Sequence, residues 1–496
     1  MTSEAEVKAP GRGAGAAGIG PPAQPSPNGR GGGRPGPYRF KDLTSGSIPR
    51  NLWFLAWPLS VEGVLRVVDQ IADLIWAGVF GHRAIAGMGV AQQYNQVAFT
   101  ARMGMDVGMR AMVSRAIGMG DVDLANRVVL QAATLTLGYG VVMILVGIFL
   151  TEGLLHLIGV SEGVIELGAR YMQVQFVGQA AIGFQNLTGH ALAAAGDTMT
   201  PMKATLVSRI IHLALSPLLM FGLLGLPELG LPGAAAATII AHVASLGLLL
   251  YVLFRGTSRL HLRLRGYRPD WVLLRQLIKI GTPAAINGME RSLAQLFLLA
   301  LVTPFGDYAV AAFTLTRRVE MFGHMGSQGF GQAAGILVGQ NLGSGQPERA
   351  KRTIIWAAGI VLVFNTLLAG LMYAFPELFL SLFSRESEFL EVAKAWLLIQ
   401  LVGYGAMGLG NVAAQSFQTA GATVVVMLVT LATMWGIEFP LAYFLSRHTE
   451  LGALGIAWAM VSPMLARPLF FIPYFLSGHW ARIRVFARTD AISKGP

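Results

Sequence analysis

Apolar residues along this chain fall in unbroken runs, rather than in the alternation of a half-buried strand or the narrow stripe of a soluble helix. Gly138 to Leu150, Leu246 to Phe254 and Ile360 to Ala369 carry no charge at all. Such runs reach about 20–30 residues, the length a helix needs to cross a ~30 Å hydrocarbon core. They predict twelve spans, at 51–80, 86–116, 125–151, 164–194, 201–225, 232–254, 272–303, 309–340, 352–380, 390–420, 424–446 and 452–477. Several exceed the minimum length, which implies tilt or extension beyond the bilayer.

The polar connections test that count, because they alternate in sign. Arg115 and Arg127 flank the second connection, Lys203 follows the fourth span, and Arg349, Lys351 and Arg352 follow the eighth. Arg255, Arg259, Arg263, Arg265, Arg268 and Arg275 crowd the centre. The other set leans acidic, with Glu152, Glu162 and Glu166, then Glu228, then Glu377, Glu386, Glu388 and Glu391. An even number of spans with both termini cytoplasmic reproduces the alternation through the positive-inside bias. The expectation is a multi-pass protein of the cell membrane.

Composition changes the picture at three points. Charged residues make up 13% of the chain, about half the usual share of a soluble domain. The net charge of +11 would suit a nucleic-acid partner, but its basic residues sit in short connections, so none is expected. There is no cysteine, which excludes disulfides and thiolate metal sites. Residues 1–49 are rich in Gly, Pro and Ala with scattered basic residues and no apolar h-region. They read as a disordered basic tail rather than a signal peptide.

The chain also repeats itself. Pro58 and Pro283 are separated by 283 − 58 = 225 residues. The same offset relates Gly81 to Gly306, Gly118 to Gly343, Arg127 to Arg352, Gly183 to Gly408, Asn186 to Asn411, Gly196 to Gly421 and Met202 to Met427. After a three-residue slip, Gly230 and Gly233 match Gly452 and Gly455. Six spans per repeat is an even number, so the halves run parallel, and the expectation is two lobes around a central cavity. The lobes are expected at 50–255 and 272–480, with a basic cytoplasmic linker at 256–271 and a cytoplasmic tail at 481–496.

Ionisable residues inside spans cost at least about 2.5 kcal/mol each on insertion scales, so each calls for a reason. The first span holds Glu62, Arg66, Asp69 and Asp73, at steps that place all four on one helical face. Arg66 is positioned to neutralise Glu62 and Asp69. Asp73 lies two turns beyond Arg66 with no basic neighbour on its own helix, which suits reversible protonation; a satisfied structural acid is the alternative. Arg102, Asp106 and Arg110 repeat every four residues, as do Glu320, His324, Gln328 and Gln332. Both stripes should face inward, either hydrating a wet cavity or, for Glu320 and His324, touching substrate. Glu438 stands alone in its span without an assigned role. No nucleophile–base pair, His/Asp cluster or phosphate loop appears, so an enzyme is not expected.

Three local patterns together resemble the multidrug and toxic compound extrusion family of cation-coupled exporters. Ala56-Trp57-Pro58, followed by Asp73-Leu74-Ile75-Trp76-Ala77-Gly78, looks like the family's first helix. The run Ala191 to Met202 looks like the loop after its fourth, and Leu337 to Ala350 like the loop after its eighth. The resemblance spans roughly residues 50–480 and implies an all-α antiporter with twelve transmembrane helices. It would export amphipathic, often cationic, organic compounds as a monomer, with no cofactor beyond the coupling ion.

The resemblance also implies a cation-coupling set in the first half. Asp73 takes the place of the family's first-helix acid, Asn186 matches the fourth-helix Asn and Thr238 the sixth-helix Thr. His212 and Ser216 stand where the family has Asn and Asp. Losing a carboxylate and gaining an imidazole favours proton over sodium coupling, with a hydrogen-bonded buried histidine as the plainer alternative for His212. In the second half, the family's acid lies eight residues after its Pro, whereas Glu290 lies seven after Pro283. Glu290 is therefore open to either the cavity or a basic neighbour. Substrate contacts are expected at Asp69, Glu290, Glu320 and His324. A flippase for lipid-linked or other anionic precursors is the alternative function. The first half is expected to carry the better-formed ion site and the second to serve more as cavity wall.

Overall fold

Each expected span is a helix in the computed structural model, which describes residues 41–79, 82–158, 162–381 and 387–486. The first half holds α1 (Ile48–Val79), α2 (His82–Gly118), α3 (Val122–Phe149), α4 (Glu162–Ala194), α5 (Met199–Phe221) and α6 (Leu231–Arg255). The second holds α7 (Trp271–Val302), α8 (Asp307–Gly343), α9 (Pro347–Ala374), α10 (Ser387–Ala420), α11 (Thr423–His448) and α12 (Ala453–Ser477). A short helix, Thr151–Ile158, follows α3, and a π-helical turn, Met434–Glu438, interrupts α11. No strand occurs among the described residues.

Carboxylates start several helices by satisfying amides that lack an intrahelical acceptor. Asp121 accepts from the Leu124 N–H at 2.9 Å to open α3. Asp270 accepts from Val272 and Leu273 at 3.0 and 3.2 Å to open α7. Asp197, just before α5, takes the Thr200 N–H at 3.0 Å and its hydroxyl at 2.7 Å.

By length and apolarity alone, α3, α5, α6, α7, α9, α10, α11 and α12 can each cross a membrane. The remaining four, α1, α2, α4 and α8, run 32 to 37 residues. Three of these, α1, α2 and α8, carry the polar stripes read from the sequence.

Helix pairing repeats with the chain. In the first half α1 packs on α5, α2 and α3 on α4, α4 on α6, and α5 on α6. Adding six to every label gives the pairings of the second half. Between halves, α1 lies on α8, α7 lies on α2, and α2 crosses α8. This set is also unchanged when the halves are exchanged, as a pseudo-twofold requires.

Glycines permit the crossing. Gly104 faces Gly281 and Ala285 of α7, while Gly329 faces Ala56 and Ser60 of α1, the same contact displaced by 329 − 104 = 225 residues. Gly118 faces Gln340, and Gly343 faces Arg115, again one contact seen twice. A Cβ on any of the four would meet the facing helix at closer than van der Waals distance, so small residues here set how near the lobes approach. The Gly118 and Gly343 contacts lie at the ends of α2 and α8 where the basic connections begin. That end of the seam is closed.

Candidate ion-coupling and transport site

In the first half the structure brings together two of the five residues expected to couple ions. His212 of α5 and Thr238 of α6 are 3.1 Å apart, Nε2 to Oγ1. The Thr238 hydroxyl also lies 3.0 Å from the Ala234 carbonyl of its own helix. Ser216 follows His212 by one turn, and both are fully buried; the Ser216 hydroxyl points at the Met220 sulfur, 4.0 Å away. Asn186 is half-buried on α4, with its amide donating to its own helix at Ile182. Asp69 and Asp73 lie on α1, but their side chains fall outside the described residues. Of the ladder read on α1, Arg66 meets Glu62 at 3.5 Å, and Glu62 also accepts from Thr205 of α5 at 3.2 Å.

The α2 stripe is a buried network. Arg102 pairs with Asp106 at 2.8 Å, both nearly inaccessible, and His190 of α4 approaches the same carboxylate oxygen at 3.3 Å. One turn along, Arg110 reaches across the seam to Gln332 of α8 at 3.4 Å. The two inward stripes therefore meet. His190 was not singled out from the sequence, although it lies one turn beyond Asn186.

The second half is more than cavity wall. Glu320 is held from both sides, by Arg317 at 3.0 Å and by His324 Nε2 at 3.3 Å. Asn411, the repeat partner of Asn186, donates from its amide to His324 Nδ1 and to the Ser327 hydroxyl, each at 3.2 Å. Equivalent asparagines thus do different work: Asn186 bonds within α4, and Asn411 ties α10 to α8. Glu320 and His324 are consequently spent largely on one another.

Glu438 is not isolated. It is buried at the end of the π-turn, within the electrostatic reach of Arg317, Arg467, Glu320 and Glu290. Arg467 of α12 donates to Thr433 at 3.3 Å. Glu290 is 5% exposed; the indole N–H of Trp435, in the π-turn, is directed at its carboxylate, and the charges acting on it are Arg467 and Arg291. Arg467 was visible in the sequence as a lone arginine inside a span, which by itself marks a functional position. No group of three or more metal-ligating side chains occurs among the described residues.

Two parallel six-helix lobes with buried ionisable groups in each are the architecture of a secondary transporter. The chain belongs to the MatE family, whose sequence profile matches twice, over residues 58–218 and 283–444. The two matches begin at Pro58 and Pro283, the offset of the internal repeat. The chain is 28% identical to the "Probable multidrug resistance protein YoeA" of Bacillus subtilis over 451 residues, covering 88% of this chain and 96% of that protein. It is 27% identical to the "FAD transporter" of Shewanella oneidensis over 404 residues, covering 81% and 88%. Among solved structures, one described as the outward-facing conformation of a multidrug resistance MATE family transporter superposes with a TM-score of 0.81 at 22% identity, over 91% of this chain and 98% of that one. The protein is an integral membrane transporter.

Proposed function

We propose that this protein is a proton-coupled antiporter of the cell membrane that exports amphipathic organic cations by alternating access. The observation that carries the reading is the buried His212–Thr238 pair. An imidazole there offers a titratable group where sodium would require another anionic oxygen. Asp73, placed on α1 by the sequence, is the acid of the exchange: its protonation weakens attraction for a cationic substrate and releases it. Relatives named for multidrug resistance support the substrate class. On this reading the basic connections are cytoplasmic, so the closed α2/α8 end is the cytoplasmic end of an outward-facing monomer with both termini inside.

A second reading, export of an organic anion, has two observations in its favour. Arg317 and Arg467 lie in the C-terminal lobe cluster, and a relative is named an FAD transporter. One assay separates the two. In inside-out vesicles, uptake of an organic cation dye is expected under an imposed proton gradient and not under a sodium gradient. The Asp73→Asn variant should insert normally and lose this uptake; wild-type rates in that variant would sink the proposal.

A further inference from the structure

Two short segments outside the repeat cross the seam at its closed end. The first, residues 41–47, precedes α1. Its Leu43 is 1% exposed and sits in a core with Ala333 and Leu337 of α8 and Ala350 of α9. It also covers the α4–α5 turn, where a Cβ on Gly196 would come 2.9 Å from Leu43 Cδ1. Arg259, from the inter-lobe linker, donates to the Lys41 carbonyl at 2.7 Å. Arg349, at the start of α9, donates to the Ser45 and Gly46 carbonyls, both at 2.9 Å. Burial pushes the Asp42 carboxyl up, but hydrogen bonds from Thr44 and Ser45 and the charge of Arg259 outweigh it and hold the group below its ordinary range. The segment is therefore folded around an ionised carboxylate at neutral pH.

The second segment, residues 479–486, follows α12. Trp480 is fully buried against Phe417 and Phe475 of its own lobe. A few residues on, the Ile483 carbonyl accepts from Arg115 of α2 at 2.6 Å. Val485 is buried in a core formed by Met109 and Val113 of α2 and Leu124 of α3. This segment covers the α10–α11 turn, where a Cβ on Gly421 would come 3.0 Å from Val485 and 3.2 Å from Ile483. Gly196 and Gly421 are repeat partners, separated by 421 − 196 = 225, with φ of +102° and +96°. The turns each segment covers are related by the pseudo-twofold, while the segments come from opposite ends of the chain.

We infer that these segments are a pair of straps that hold the α2/α8 end shut and must detach before it opens. Each strap is continuous with one half and is both bonded to and buried in the other. Separating the lobes at this end breaks the charge-assisted bonds of Arg349 and Arg115 and pulls Leu43 and Val485 out of their cores. Contacts made in only one of two states bias the equilibrium toward that state. The straps thus set how often the end opens. The inference rests on the alternating-access reading.

The chain's lack of cysteine makes the test direct. Ser114 is fully buried in the seam against Gly339 of α8, so Ser114→Cys reports opening through its reaction with a membrane-impermeant maleimide applied to the face bearing the basic connections. In the full-length protein, Arg259→Ala with Arg349→Ala should raise the labelling rate about five- to tenfold, the effect of losing a few part-exposed bonds. Leu43→Asp and Val485→Asp should raise it further. Unchanged labelling in the double arginine variant overturns the straps; if the buried-site variants do not accumulate, that variant alone decides. The underlying reading fails separately: adding ethidium to the parent Ser114→Cys protein should shift its labelling, and no shift would count against alternating access itself.

Discussion

At the scale of single residues, several of the described charges inside the membrane have partners that sequence spacing shows only in part. Arg102 with Asp106, and Arg317 with Glu320, are neighbours on one helix, at spacings of four and three residues that permit an interaction. His190 with Asp106, Asn411 with His324 and Arg110 with Gln332 link different helices, and no periodicity carries that information. Asp106 is the case with the largest expected effect. Asp106→Asn would leave Arg102 buried with no counter-charge, which destabilises by about 3–5 kcal/mol. The outcome expected is a sharply lower melting temperature in detergent, measured beside transport. A variant that melts like the parent would show that water reaches Arg102.

Helices and turns were the legible level. Twelve apolar runs became twelve helices because hydrocarbon forces every backbone group to bond within its own segment, so length and apolarity nearly determine the element. The π-turn at Met434–Glu438 was not legible, since nothing in that run distinguishes it from regular helix. It matters because it carries Glu438, which spacing alone left without a role. The repeat glycines were legible as a pattern, but their purpose was not. In the structure Gly118 and Gly343 are points where two helices nearly touch, and Gly196 and Gly421 turn the chain at positive φ. Gly118→Val or Gly343→Val should therefore hold the α2/α8 crossing apart and abolish vectorial transport while the protein still reaches the membrane. Gly138→Ala, with nothing within 4 Å of its added Cβ, should transport normally. Efflux assays on the three variants check this, and an active Gly118→Val would remove the crossing from the mechanism.

For the whole molecule, the repeat in the sequence and the pairing of helices agree. The halves differ in where their described polar networks lie. The first half concentrates its network on α2 and α4, and the second builds its own from α8, α10, α11 and α12, with Glu290 of α7 beside it. The sequence hid the second network because its members are scattered over five helices and 467 − 290 = 177 residues. The two halves should also recognise each other without a covalent link. Residues 1–262 and 263–496, expressed together as separate chains, are expected to copurify and to restore part of the export activity. Independent migration of the two pieces would mean that the linker, rather than the seam, holds them.

The crossing of α2 and α8 has a further consequence in the language of effective concentration. A linker of roughly fifteen residues keeps two surfaces together at millimolar levels or above. The glycine seam therefore need not stay intact throughout the cycle. Its closed end can open while the tether and the rest of the interface keep the lobes together, so a contact strong enough to pair the halves can still break locally and re-form.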